Sequence, residues 1–209
     1  MSSDSAQVVQ RSVRERPALA ATFLQKPEST LEWTADVLRI VGLLSLVVGV
    51  IGWGALAGAV LALALLGLVV PRFLGLRAGI DVAVGVAVLV AAWASVLDLY
   101  RAAPWIDIPI HFTLNGLLAL LVVVAALRAG VELDRRTPAL VIQTLTVGLA
   151  LAALWEMGEW GGHQLSETVL VGYDDSILDM AVGGAGAGAA ALLVPIALKR
   201  DRWQGASDA

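Results

Sequence analysis

The sequence predicts an all-α, polytopic membrane helical bundle of about six transmembrane helices, with the N- and C-termini cytoplasmic. Three observations carry this expectation. Of the 209 residues 58% are hydrophobic and only 15% charged, where soluble domains carry about 25% charge. The mean hydropathy of +0.81 comes from long unbroken apolar blocks, not from alternation along strands. Lastly, Lys and Arg fall almost wholly on one side of the alternating connections, as residues retained in the cytoplasm do.

The elements follow in order. Residues 1–30 are polar, include Arg11, Arg14, Arg16 and Lys26, and hold no apolar core segment, so they read as a mobile cytosolic tail and not as a signal peptide. Ser29-Thr30-Leu31-Glu32 has the form of a capping box that starts the first helix. Apolar runs approaching the ~20 residues needed to cross ~30 Å of hydrocarbon occur at about 36–52, 55–70, 79–98, 107–127, 138–157 and 177–198. The second is the shortest, about 24 Å at 1.5 Å per residue. Gly52-Trp53-Gly54 predicts a tight turn between the first two spans, and Pro71, Pro104 and Pro138 mark boundaries. The bundle therefore occupies residues 31–200, with 201–209 as a second cytosolic tail.

With the N-terminus inside, 13 of the 14 Lys and Arg lie on the inner side, and only Arg101 lies outside. Trp33 and Trp203 fall at the inner interface, and Trp53, Trp93, Trp105, Trp155 and Trp160 at the outer one, where indoles prefer to sit. The acids divide differently. Asp98, Asp107, Glu156, Glu159, Glu167, Asp174, Asp175 and Asp179 are all outside, a local charge of −7 against +3 inside. Such an outer face attracts cations and repels free anions.

Three polar patches converge on that side. Asp107, His111 and Asn115 stand at i, i+4 and i+8 on the fourth span, one stripe descending about 12 Å into the bilayer. Glu156, Glu159 and His163 stand at i, i+3 and i+7 at the end of the fifth, and Asp175 and Asp179 at i, i+4 at the start of the sixth. Ionisable groups within spans are costly and usually face the bundle interior, and carboxylates sharing a pocket need protons or a cation between them. Asp107, His111, Glu156, Glu159, Asp175 and Asp179 thus form a candidate site for a divalent metal such as Zn, Mn or Mg. Glu156 or Glu159 is the candidate general base, and Asn115, Tyr173, Arg101 and His163 are supporting residues. Singly, each acid is equally well a solvated interface residue, His111 a hydrogen-bonded structural histidine and Asn115 interhelical glue. Arg77 and Asp81, at i and i+4, suggest an inner-face ion pair. Glycines 183, 184, 186 and 188 suggest that the sixth span packs centrally. Gly184 and Gly188 also make a GxxxG pair that could instead serve dimerisation.

At these residues the chain resembles the YjdF-like bacterial membrane proteins, which in turn resemble the VanZ-like family. The matching positions are Asp107/His111, Glu156/Glu159/Trp160 and Tyr173/Asp175/Asp179/Met180, within residues 90–190. A further polar residue is expected a turn after the final Asp, where this chain has Gly183. The resemblance implies a multi-pass protein of the bacterial plasma membrane, in a group with no settled biochemical activity. The VanZ-like link adds an association with glycopeptide resistance and the cell envelope.

Several chemistries are excluded. Without cysteine there are no disulfides, thiolate metal sites or Cys nucleophiles. There is no Gly-x-Ser-x-Gly elbow and no Arg-rich lipid-phosphatase signature. His111-x-x-x-Asn115 with Glu156-x-x-Glu159 resembles the prenyl-protein-type membrane proteases, but the adjacent glutamate pair is missing. Three functions stay compatible with the residues: a metal-dependent site acting on a lipid or cell-envelope substrate, a cation or proton transporter, and a non-catalytic assembly or resistance factor. The implied partners are the lipid bilayer and such a substrate; no nucleic acid is expected. Below the outer half, the last three spans offer only Gln143, Thr144 and Thr146, a thin basis for a through-path.

Overall fold

The structure is a computed structural model describing residues 19–166, 169 and 171–198. Glu167, Trp203, the basic residues 11, 14, 16, 199, 200 and 202 and the tail 201–209 lie outside the described residues. The described chain is helical, without strands: α1 (Leu19–Leu24), α2 (Thr30–Trp53), α3 (Ala55–Phe73), α4 (Ala78–Val96), α5 (Leu99–Ala102), α6 (Asp107–Ala129), α7 (Thr137–Leu165), α8 (Tyr173–Ala190) and α9 (Val194–Leu198). Short 3-10 turns, Pro104–Ile106 and Ala191–Leu193, lead into α6 and join α8 to α9. Six of these helical stretches are long and apolar enough to cross a membrane.

Most spans extend beyond their apolar blocks, whereas α4 stops at Val96, two residues short of its block. Ser29 caps α2 by accepting from the Glu32 amide at 3.3 Å, while the Glu32 carboxylate accepts from the Glu28 amide at 2.6 Å. The box is thus closed one residue further back than its standard form. Between α2 and α3 the turn needs only Gly54, whose φ of 87° is open to glycine at little cost. Pro71, expected to end the second span, lies inside α3. The Leu74 amide bonds the Val70 carbonyl at 3.0 Å, and the Leu76 amide that of Pro71 at 3.0 Å, so the last turn closes without the missing N–H. The fifth apolar run, ending near 157, belongs to a helix that continues to Leu165, and α8 begins a turn ahead of its run, at Tyr173.

The core is formed by leucines and valines of α3, α4 and α6, among them Leu61, Leu68, Val84, Leu120, Val123 and Val124, with Val194 of α9. α8 lies between α6 and α7. Its glycines permit this: an added Cβ at Gly184 would stand 2.7 Å from Leu149 Cδ2, and one at Gly148 of α7 would collide with Ala187. Gly184 and Gly188 both face α7 within the chain, Gly188 at an ordinary 3.6 Å from Leu145.

Alternation of the spans places residues 54, 97–106, 166, 169, 171 and 172 at one end of the bundle, called here the acidic end, and the other turns at the basic end. At the basic end Asp81 accepts from Arg39 of α2, at 2.6 and 2.7 Å, whereas Arg77, expected to pair with it, is exposed and forms no ion pair with it among the described residues. Arg39 reaches Asp36 at 2.9 Å, and Arg72 reaches Asp36 at 3.1 Å. Arg72 also donates to the carbonyls of Phe23 at 3.1 Å and Gln25 at 2.5 Å, and Phe23 stacks on Phe73 with centroids 4.5 Å apart. Residues 19–25, read from the sequence as part of a mobile tail, are therefore held against α3. Polarity decided that reading, whereas backbone carbonyls made the anchor.

Candidate metal site at the acidic end

At the start of α6, Asp107 and His111 stand one turn apart on the same face, and His111 Nε2 lies 3.2 Å from Asp107 Oδ1. Asp179, in the second turn of α8, brings its Oδ2 to 3.9 Å from the same nitrogen. One ligand atom from each of the three falls within 4.8 Å of the others. Ligand atoms about 2.1 Å from a tetrahedral ion stand roughly 3.4 Å apart, so a small adjustment seats an ion among them. The side chains are 20%, 14% and 5% exposed for Asp107, His111 and Asp179.

Asp179 Oδ1 is buried without a hydrogen-bond partner among the described residues, and so is Glu156 Oε1. Buried carboxylate oxygens are costly when unpaired; an ion or a proton resolves the cost. One imidazole with two carboxylates is a donor set for Zn or Mn, and three protein ligands leave coordination positions open. The residues present therefore fit a divalent metal.

The other expected residues sort by position. Glu159 interacts electrostatically with Asp107, His111, Asp179 and Glu156, so the end of α7 faces the three, although neither glutamate lies within their tight group. Asp175 is exposed and feels Asp179, but stands outside the group. Asn115 points away from it: its Nδ2 donates to the Gly148 carbonyl at 3.2 Å, tying α6 to α7. That bond accounts for Gly183, since a side chain there would run into the Asn115 amide. His163 Nδ1 sits 2.7 Å from the Val169 carbonyl and closes the loop after α7. Arg101 pairs at 3.6 Å with Asp98, and Tyr173 is 82% exposed.

One neighbour of the site was missed. Tyr100, on α5, is half-buried against the site, with its hydroxyl 3.4 Å from the Ala91 carbonyl. Burial first, then the charges of Asp107, Glu159 and Asp179, pushes its phenol well above the ordinary value, keeping it a neutral donor. In sequence it reads as an ordinary interfacial tyrosine. Asp98, with a left-handed φ of 56°, turns the chain between α4 and α5 just ahead of it. The only signal was that turn's composition.

A family of proteins described as predicted membrane protein (DUF2238) matches residues 30–200. No curated protein and no solved structure matches the chain.

Proposed function

Because the chain belongs to this family of predicted membrane proteins, we propose that it is a YjdF-like protein of the bacterial plasma membrane whose extracytoplasmic face holds a divalent cation and acts on a lipid or cell-envelope substrate. The observation that carries the reading is the approach of Asp107, His111 and Asp179 from two helices to within 4.8 Å. The basic residues at the opposite end support the sidedness. Asp107, His111 and Asp179 would hold the ion, which would supply Lewis acidity. Glu159, facing these three, is the residue to take up a proton from an attacking water, with Glu156 beside it.

The transporter reading finds little support. Gln143 donates to the Asp134 carbonyl at 2.9 Å, Thr144 to that of Leu140 at 2.7 Å, and Thr146 to that of Ile142 at 2.8 Å, so each is committed to backbone. A non-catalytic role, with the ion only tying α6 to α8, shares the same ligands. Metal analysis of detergent-purified protein beside an Asp107→Ala/His111→Ala variant tests the common premise. Stoichiometric Zn or Mn in the parent and its loss in the variant are expected; equal traces in both reject the site.

A further inference from the structure

Toward the basic end, α6 and α7 leave a groove of about 290 Å³ between them. Its walls are Val122, Val123 and Ala126 of α6, Ile142 and Val147 of α7, and Leu133 of the connecting turn. Gln143 and Thr146 also line it, but Gln143 donates to the Asp134 carbonyl at 2.9 Å and Thr146 to that of Ile142 at 2.8 Å. The groove therefore offers mainly shape and apolar surface. Val122 and Ile142 are exposed on helices long and apolar enough to cross a membrane, so lipid covers them. From Ile142 to Val147 the groove runs roughly 8 Å along α7, long enough to seat part of an acyl chain. In a bilayer, tails gain little by leaving other tails for an equally apolar protein surface. Preference for one lipid then comes from its headgroup. The Gln143 bond holds the turn around Leu133 and Asp134 at the basic end of the groove. There Arg136 pairs with Asp134, and Arg128 donates to the Ala197 carbonyl at 3.3 Å. Arg135, two residues from Leu133, is exposed and makes no ion pair or side-chain hydrogen bond among the described residues. Basic groups at clefts between spans select anionic headgroups.

We propose that this groove binds one anionic phospholipid, with an acyl chain laid between α6 and α7 and the phosphate at Arg135. Glu132, exposed in the same turn, opposes the headgroup and moderates its affinity. The site lies at the other end of the bundle from Asp107, His111 and Asp179 and does not depend on a metal there.

The test titrates the detergent-purified full chain with phosphatidylglycerol or phosphatidylcholine of identical acyl chains and reads bound lipid by native mass spectrometry. Phosphatidylglycerol should bind about fivefold tighter, the worth of one arginine near an anionic headgroup. Arg135→Gln should erase that preference and Glu132→Gln should strengthen it. Arg77→Gln, an exposed arginine in another turn of the basic end, should leave it unchanged. Ala126→Phe, which fills the groove, should weaken both lipids, whereas Asp107→Ala/His111→Ala should weaken neither. Equal binding of the two lipids by the parent chain, or a preference that survives Arg135→Gln, overturns the headgroup assignment. Undiminished binding in Ala126→Phe overturns the groove.

Discussion

Replacing Gly186 by alanine tests whether the close approach of α6 and α8 builds the site. An added Cβ would stand 2.7 Å from the Phe112 carbonyl carbon and 2.9 Å from its Cα, and closer still to the carbonyl oxygen. These are backbone atoms, so no rotamer relieves the contact. Carbon atoms pack at about 3.5–4.0 Å, so the two helices must part by roughly 1 Å. Overpacking costs typically 1–3 kcal/mol, and a backbone collision belongs at about the upper end. Since Phe112 follows His111, and Gly186 lies seven residues after Asp179 on the same face of α8, parting the helices also widens the ligand group. Unfolding in a titrated denaturing detergent, followed by tryptophan fluorescence, should show Gly186→Ala destabilised by about 2–3 kcal/mol. Its Mn(II) affinity should fall with it. Gly188→Ala, whose Cβ meets Leu145 at an ordinary 3.6 Å, is the control and should be near neutral. Equal stability and affinity in the two variants would refute the reasoning.

Other outcomes follow from the same geometry. Gly183→Ala should destabilise the parent chain by about 1–3 kcal/mol, but much less in an Asn115→Ala background, where the obstructing amide is gone; additive effects in that double-mutant cycle would deny the contact. Arg39→Ala removes the guanidinium that pairs with Asp81, 9% exposed, and with Asp36, and thermal unfolding in detergent should show a loss of about 3 kcal/mol, whereas Arg77→Ala should cost little. The phenol of Tyr100 favours its neutral form in the fold. Its stabilising effect is therefore complete at low pH and is lost as pH rises from about 10. In Tyr173→Phe, where Tyr100 is the remaining tyrosine of two, phenolate absorbance near 295 nm should not rise at about pH 10; a full transition there would place the ring in water.

The spans were legible because the bilayer demands long apolar runs, and their order because basic residues repeat on one side of every second turn. Their ends were less so. Ser29 was readable as a cap, but Pro71 could not announce that the helix would continue past it, since Leu74 and Leu76 restore the bonding. The site was legible as residues on faces: the i, i+4 spacing of Asp107 and His111, and the one-sidedness of Asp179, foretold their meeting. Spacing could not say which acids converge, because rotation of α7 and α8 about their axes is set by contacts such as Gly148 with Ala187. For that reason Asn115, on the same stripe as His111, bonds Gly148 instead, and His163, on the face of Glu156, closes a loop. Tyr100 was hidden because it lies just past a left-handed turn at Asp98, in a short helix that apolar periodicity does not reveal.

The central claim is that His111, on α6, and Asp179, on α8, are ligands of one cation. Electron spin-echo envelope modulation of Mn(II)-loaded protein reads it most directly, since a coordinated imidazole imprints its nitrogen on the echo. The chain has two histidines. Nitrogen modulation should persist in His163→Gln and vanish in His111→Gln, and Asp179→Asn should weaken binding. Modulation unchanged in His111→Gln, or absent from the parent protein, contradicts the account.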